Sequence, residues 1–121
     1  MPEPRQSLED RTRAFAVEIL RFVASLPPIA SEQVLGRQLL RAGSAVGANY
    51  RAARRSRSRR EFAARLAVVV EEADESVYWL ELFAAVPTSR SSTLAPLLQE
   101  ARELRAIFAT ALKTSKSRPR G

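Results

Sequence analysis

The sequence predicts an all-α protein, an antiparallel up-down-up-down four-helix bundle in a single domain, and three observations carry that prediction. Apolar residues recur at spacings of three and four in four separate segments. Short stretches containing Pro, Ser or Thr part these segments. No segment alternates with period two, and no Asn-Gly or Asp-Gly hairpin signal occurs, so strands have no support. At 121 residues the chain has the size of one domain with one core. Apolar stripes with a period near 3.5 residues pack at shallow crossing angles, and connections of about four to nine residues make neighbouring helices antiparallel.

Residues 8-26 form the first expected helix, whose stripe is Leu8, Phe15, Ile19, Phe22 and Leu26, and Pro27 with Pro28 stops it. The second is expected over residues 32-55, with Ser31 as N-cap and a stripe of Leu35, Leu39, Ala42, Val46, Asn49 and Ala53. A Ser-Arg-Ser linker precedes the third, residues 59-85, where Phe62, Leu66, Val69, Ala73, Val77, Leu80 and Ala84 keep the spacing for a length on the order of 35 Å. Pro87 and the Thr88 to Thr93 run close it. Residues 93-114 make the fourth, with Leu94, Leu97, Ala101, Leu104, Phe108 and Ala111 on one stripe. Residues 1-7 are expected to be a disordered arm and residues 115-121 a flexible basic tail, the basic character beginning at Lys113 and Pro119 lying within it.

The inventory of side chains narrows the chemistry. There is no cysteine, so no disulfide and no thiolate metal site, which suits a reducing compartment. There is no histidine either, which removes the commonest general base and the commonest metal ligand. Gly36, Gly43 and Gly47 lie inside a helical pattern and show no phosphate-cradle spacing; Gly43 and Gly47 instead suggest close approach between helices. Glu71, Glu72, Asp74 and Glu75 cluster on the third helix, followed by Glu81, but helical geometry splits them between faces. The reading is therefore non-enzymatic, with no cofactor, no metal and no catalytic residue expected. No apolar run reaches the roughly 18 residues of a membrane span and the first residues lack a signal-peptide core, so a cytoplasmic protein away from membranes is expected.

Charge supplies the positive lead. Lys and Arg number 20 against 13 Asp and Glu, and residues 51 to 60 alone hold six arginines and no acid. Arg51, Arg54, Arg55, Arg57, Arg59 and Arg60 are thus candidate contacts to the phosphates of RNA or DNA, because neutralised phosphates release counterions and that release drives binding. The alternative is a structural or protein-interaction homo-oligomer whose arginines pair with acids of a neighbouring subunit. Tyr50 is the one aromatic beside the arginines, so base stacking has little support.

Two further constellations bear on packing. Asn49 interrupts an apolar seam, where an unpaired amide is costly, and Arg41, Ser44 and Glu75 are its candidate partners in a buried polar network. On the third helix Val68, Glu72, Trp79 and Leu82 share a face beside the main seam, with Tyr78 adjacent. This surplus apolar surface predicts an oligomer interface through those five residues.

Taken in order, Arg41-Ala-Gly-Ser44 with Val46 and Asn49, then Ser58-Arg-Arg-Glu61-Phe62 and Leu66, then Glu71-Glu-Ala-Asp-Glu-Ser-Val-Tyr-Trp-Leu-Glu-Leu82, resemble the bacterial four-helix-bundle family of the 23S rRNA intervening-sequence protein. The likeness spans roughly residues 10 to 112. It implies an antiparallel bundle, a ring-like homopentamer and no enzymatic activity. Some relatives are encoded within inserts in ribosomal RNA genes, and the similar accessory protein of diversity-generating retroelements binds a reverse transcriptase and nucleic acid. Many relatives carry Asn-Ile-Ala-Glu-Gly near the end of the second helix, where this chain has Asn49-Tyr-Arg-Ala-Ala53, so nothing attached to that Glu and Gly carries over.

Overall fold

The computed structural model describes residues 6–86 and 91–117, without the side chain of Ser91. Four helices follow one another: α1, Leu8–Ala24; α2, Ala30–Arg54; α3, Arg59–Ala85; and α4, Ser91–Ser117. No strand occurs among the described residues. Each helix packs on its two chain neighbours and α1 closes against α4, so the helices form an antiparallel ring. Among the described residues no helix is long and apolar enough to cross a membrane.

The boundaries follow from local chemistry. Ser7, in extended conformation, accepts a hydrogen bond from the Asp10 amide at 3.0 Å, and Glu9 and Asp10 occupy the positive end of the α1 dipole. α1 ends at Ala24, two residues before the expected position, because Pro27 disfavours helical backbone in the residue before it. Leu26 still reaches the core from outside the helix. α2 begins earlier than expected, and Ser31 is not its N-cap. Extended Ile29 holds that position, its carbonyl accepting from the Gln33 amide at 2.9 Å while the Gln33 side chain donates to the Pro27 carbonyl at 2.9 Å. Ser58 caps α3 by accepting from the Glu61 amide at 3.1 Å. α4 runs past the expected end to Ser117, so residues 115–117 are helical and not tail. Residues 1–5 of the arm and 118–121 of the tail lie outside the described residues.

The core is the set of stripes read from the sequence, with one displacement. Phe15, Ile19, Phe22, Leu39, Val46, Leu66, Val69, Val77, Leu80, Leu104 and Phe108 are buried together. On α3 the last core position belongs to Phe83, and Ala84 is exposed. α3 packs on both α2 and α4, so its buried arc is wide, and at its end the large ring of Phe83, set against Phe22, fills the core where Ala84 would leave space. Two aromatic pairs tie the diagonals of the bundle. Phe22 of α1 meets Phe83 of α3 edge-on at 5.2 Å, and Tyr50 of α2 meets Phe108 of α4 at 5.1 Å, near opposite ends.

Small residues on α2 let α1 come close. A Cβ built on Gly43 would stand 3.0 and 3.2 Å from the two γ carbons of Ile19, a fully buried side chain with nowhere to move. A Cβ on Gly36 would meet mainly the terminal Cδ1 of Leu26, a methyl that can rotate away. Alanine gains up to about 1 kcal/mol of helix propensity over glycine. Gly36→Ala is therefore expected to hold or raise stability in urea unfolding. Gly43→Ala should lower it by about 1 kcal/mol, because overpacking a close contact exceeds the propensity gain.

Candidate nucleic-acid interface

Antiparallel order brings the end of α2, the start of α3, the start of α1 and the end of α4 to one end of the bundle. Arg51 and Arg54 stand in the last turn of α2, Arg55 is its C-cap, Arg57 lies in the connection, and Arg59 and Arg60 open α3. All six are exposed. Arg54 pairs with Glu9 of α1 at 2.7 Å. Among the described residues, the side chains of Arg51, Arg55, Arg57 and Arg60 make no ion pair or hydrogen bond. Lys113 and Lys116, exposed near the end of α4, join the same end; a cleft lined by Arg59, Phe62, Ala111, Thr114 and Ser115 shows the two helix ends side by side. Neither lysine was counted among the phosphate contacts from the sequence, although the up-down order alone brings the fourth helix's end to the arginine turn.

The electrostatics of these cations differ by helix. Arg51, Arg54 and Lys116 sit at helix C-termini, where the dipole favours positive charge. Arg59 and Arg60 sit at an N-terminus, where it opposes positive charge and where acids are the usual occupants. Glu61 is the only acid of that turn, and it is also drawn to the Arg57 backbone amide at 3.5 Å and the Arg65 guanidinium at 3.1 Å. The first turn of α3 thus combines the positive dipole end with guanidinium groups, a combination suited to anions.

Between the arginines the surface is concave. A cleft of about 470 Å³ is lined by Tyr50 and Ala53 of α2, by Arg54, Ser56, Arg57 and Ser58, and by Arg59 and Phe62 of α3. Tyr50 and Phe62 are half-buried, and the Ser56 hydroxyl oxygen is buried with no hydrogen-bond partner. The sequence offered Tyr50 alone as an aromatic here; the turn brings Phe62 beside it across eleven intervening, mostly arginine and small, residues. A neighbouring cleft of about 380 Å³ between α1 and α2 includes Arg13 and Arg51 but also Glu9 and Asp10, which repel phosphate.

The acids of α3 are engaged elsewhere. Arg41 of α2 pairs with Glu75 and, at 3.5 Å, with Glu72; Arg105 of α4 pairs with Asp74 at 2.7 Å; Arg102 reaches Glu81 at 3.2 Å. None of the six corner arginines faces them. Between α1 and α4, Arg11 makes a two-pronged contact with Glu100 and a further one with Glu103 at 2.9 Å. Hydrogen bonds from Gln99 and then Arg11 hold the exposed Glu103 carboxyl below the usual glutamate range.

The expected network around Asn49 does not form. Its amide is half-buried and donates to the Ala45 carbonyl of its own helix at 2.8 Å; Ser44 is exposed and donates to the Arg41 carbonyl at 3.2 Å. Only the Arg41 to Glu75 contact exists, and it lies at the surface. Asn49 is three residues beyond Val46, about 60° around the helix, which carries it to the edge of the seam. The buried polar groups are instead Thr12, which donates to the Leu8 carbonyl at 2.8 Å, and Ser76, which donates to the Glu72 carbonyl at 2.8 Å. Back-bonding of this kind satisfies a hydroxyl without a partner helix.

The expected oligomer face is partly core. Trp79 is half-buried, packs against the core cluster, and donates its indole N–H to Glu75 at 3.0 Å. Val68, Tyr78 and Val86 of α3 remain exposed, as does Val34 of α2, one heptad from Arg41. Glu72 and Leu82 are half-buried between them.

Comparison with known proteins agrees with this architecture. The sequence profile of the 23S rRNA-intervening sequence protein family matches residues 7–110. The fold is similar to the crystal structure of a protein of unknown function from the S23 ribosomal protein family of Bacteroides thetaiotaomicron, with a TM-score of 0.79 and 30% identity, covering 89% of this chain and 100% of that one. No curated protein matches.

Proposed function

The chain belongs to the 23S rRNA-intervening sequence protein family, and we propose that it is a non-catalytic binding protein whose arginine end engages the phosphates of RNA or DNA. The observation that supports this most is Arg60 at the start of α3, exposed, against the helix dipole and without a side-chain partner among the described residues. Arginines kept only for fold stability belong at helix C-termini. A local rule broken without compensation within the fold marks a functional position. A chain without histidine or cysteine is consistent with binding as its business, and the absence of cysteine suits the cytoplasm.

Arg60→Glu tests the reading because stability and binding should move in opposite directions. Reversing a charge at the second residue of α3 is expected to raise the unfolding free energy by about 0.5–1 kcal/mol. The same change should weaken binding to a labelled RNA about tenfold at low salt. A variant that melts lower and binds as well as the parent would overturn the proposal.

A second reading concerns assembly, and the exposed Val34, Val68, Tyr78 and Val86 favour it. We propose a homo-oligomer through the outer face of α2 and α3, five-membered by resemblance to the family, in which Arg51, Arg55, Arg57 and Arg60 stay open to phosphate because Glu72, Asp74, Glu75 and Glu81 already have partners within the chain. Light scattering should give about five times the 13.4 kDa of one chain, and Val68→Glu, an exposed change that spares the core, should reduce it to 13.4 kDa. A parent mass of 13.4 kDa would remove this interface.

A further inference from the structure

The arginine end carries a shallow cleft open to solvent, and its lining suggests which form of nucleic acid it takes. We infer that the cleft between Tyr50 and Phe62 receives an unstacked base of single-stranded nucleic acid, so that the protein prefers single strands to duplex; this rests on the phosphate-binding reading above. Tyr50 and Phe62 line a space of about 470 Å³ together with Arg54, Arg57, Arg59 and the small residues between them. That volume falls in the range of roughly 300–1,000 Å³ that holds small organic ligands. A base with its sugar fits such a space, whereas a base inside a duplex cannot leave its stack without an energetic cost.

The chemistry of the lining matches a base and its phosphate together. Aromatic faces accept any base, because every base has a π-face, and neighbouring guanidinium groups meet the backbone on either side. Tyr50 is held in place by its contact with Phe108, and Phe62 by packing against the core, so both rings are presented without further ordering. The Ser56 hydroxyl, buried and unpartnered, supplies a hydrogen-bonding group at the same site. Duplex would still meet the arginines through its backbone, since phosphate contacts do not depend on the bases. The preference therefore belongs to the cleft, and the bulk of the electrostatics to its rim.

The test separates the two. Labelled 12-nucleotide single strands of RNA and of DNA, and a 12-base-pair duplex, are titrated against the full chain by fluorescence anisotropy at about 50 mM salt, with Phe62→Leu beside the parent. The parent is expected to bind single strands on the order of tenfold more tightly than duplex. Phe62→Leu, which keeps the apolar volume but removes the ring, should lose most of that advantage while leaving duplex affinity unchanged. Ser56→Ala, which leaves the core intact, should weaken single-strand binding by a smaller factor and guards against misfolding of the first variant. Equal affinities for strand and duplex, unmoved by Phe62→Leu, would overturn the cleft and leave the arginine rim standing. No binding of either would overturn both. A strand preference found for RNA and not DNA would place the 2′-hydroxyl among the recognised groups.

Discussion

Replacing Arg51, Arg55, Arg57 and Arg60 together with Gln is expected to weaken binding to a single-stranded RNA about a thousandfold at about 50 mM salt. These four side chains have no partner among the described residues, so their removal deletes no ion pair there. Gln is a good helix former, and the helical circular dichroism should be unchanged. Each guanidinium that neutralises a phosphate adds about 0.7 to the slope of log affinity against log salt for a single strand. Four of them therefore account for a slope change of about 3, and between about 0.5 M and 0.05 M salt that slope is worth about three orders of magnitude. Arg54 serves as the internal contrast. Its pairing with Glu9 at 2.7 Å already occupies the guanidinium, so Arg54→Gln should cost less affinity than any of the four. A quadruple variant within tenfold of the parent would mean that phosphate is met elsewhere.

Phe108→Ala is expected to be the most destabilising single change, by about 3–5 kcal/mol. Phe108 is fully buried on α4 and its ring meets Tyr50 of α2 across the diagonal of the bundle at 5.1 Å. Truncation leaves a cavity that the antiparallel ring cannot close without tilting a helix. For a domain whose whole stability is about 5–15 kcal/mol, the melting temperature should fall by roughly 10 °C or more. The change also removes the support behind Tyr50, so single-strand affinity should fall even where the variant remains folded. Urea unfolding read by far-UV circular dichroism gives the first effect and anisotropy below the transition the second. A loss under about 1 kcal/mol would mean that the diagonal contact contributes little.

What was legible in the sequence was what repeats. Heptad-like spacing in four segments placed nearly every buried residue, since burying one face of a helix requires that spacing whatever the partner. It failed where geometry drifts or where one residue had to be judged alone. Phe83 displaced Ala84 because α3 is packed on two sides and its end position is decided by side-chain size against Phe22, not by spacing alone. Asn49 was read as buried because it fell on an i+3 step, yet that step carried it off the seam to bond its own helix. Ser31 was an attractive cap by residue type, but the backbone around Pro27 and Pro28 started the helix two residues sooner. The arginine corner was legible as composition, its aromatic cleft was not. Phe62 and Tyr50 are twelve residues apart and meet only because a tight turn folds α3 back beside α2. Ion pairs such as Arg105 with Asp74 and Arg11 with Glu100 depend on register between helices, which a single sequence does not fix.

The most direct test of phosphate recognition by the arginine end is the salt dependence of affinity for a labelled single-stranded RNA, measured with the parent chain from about 50 to 300 mM salt. With four to six phosphates neutralised, log affinity should fall linearly against log salt with a slope of about −3 to −4. No measurable binding at about 50 mM salt, or a slope near zero, would contradict the account.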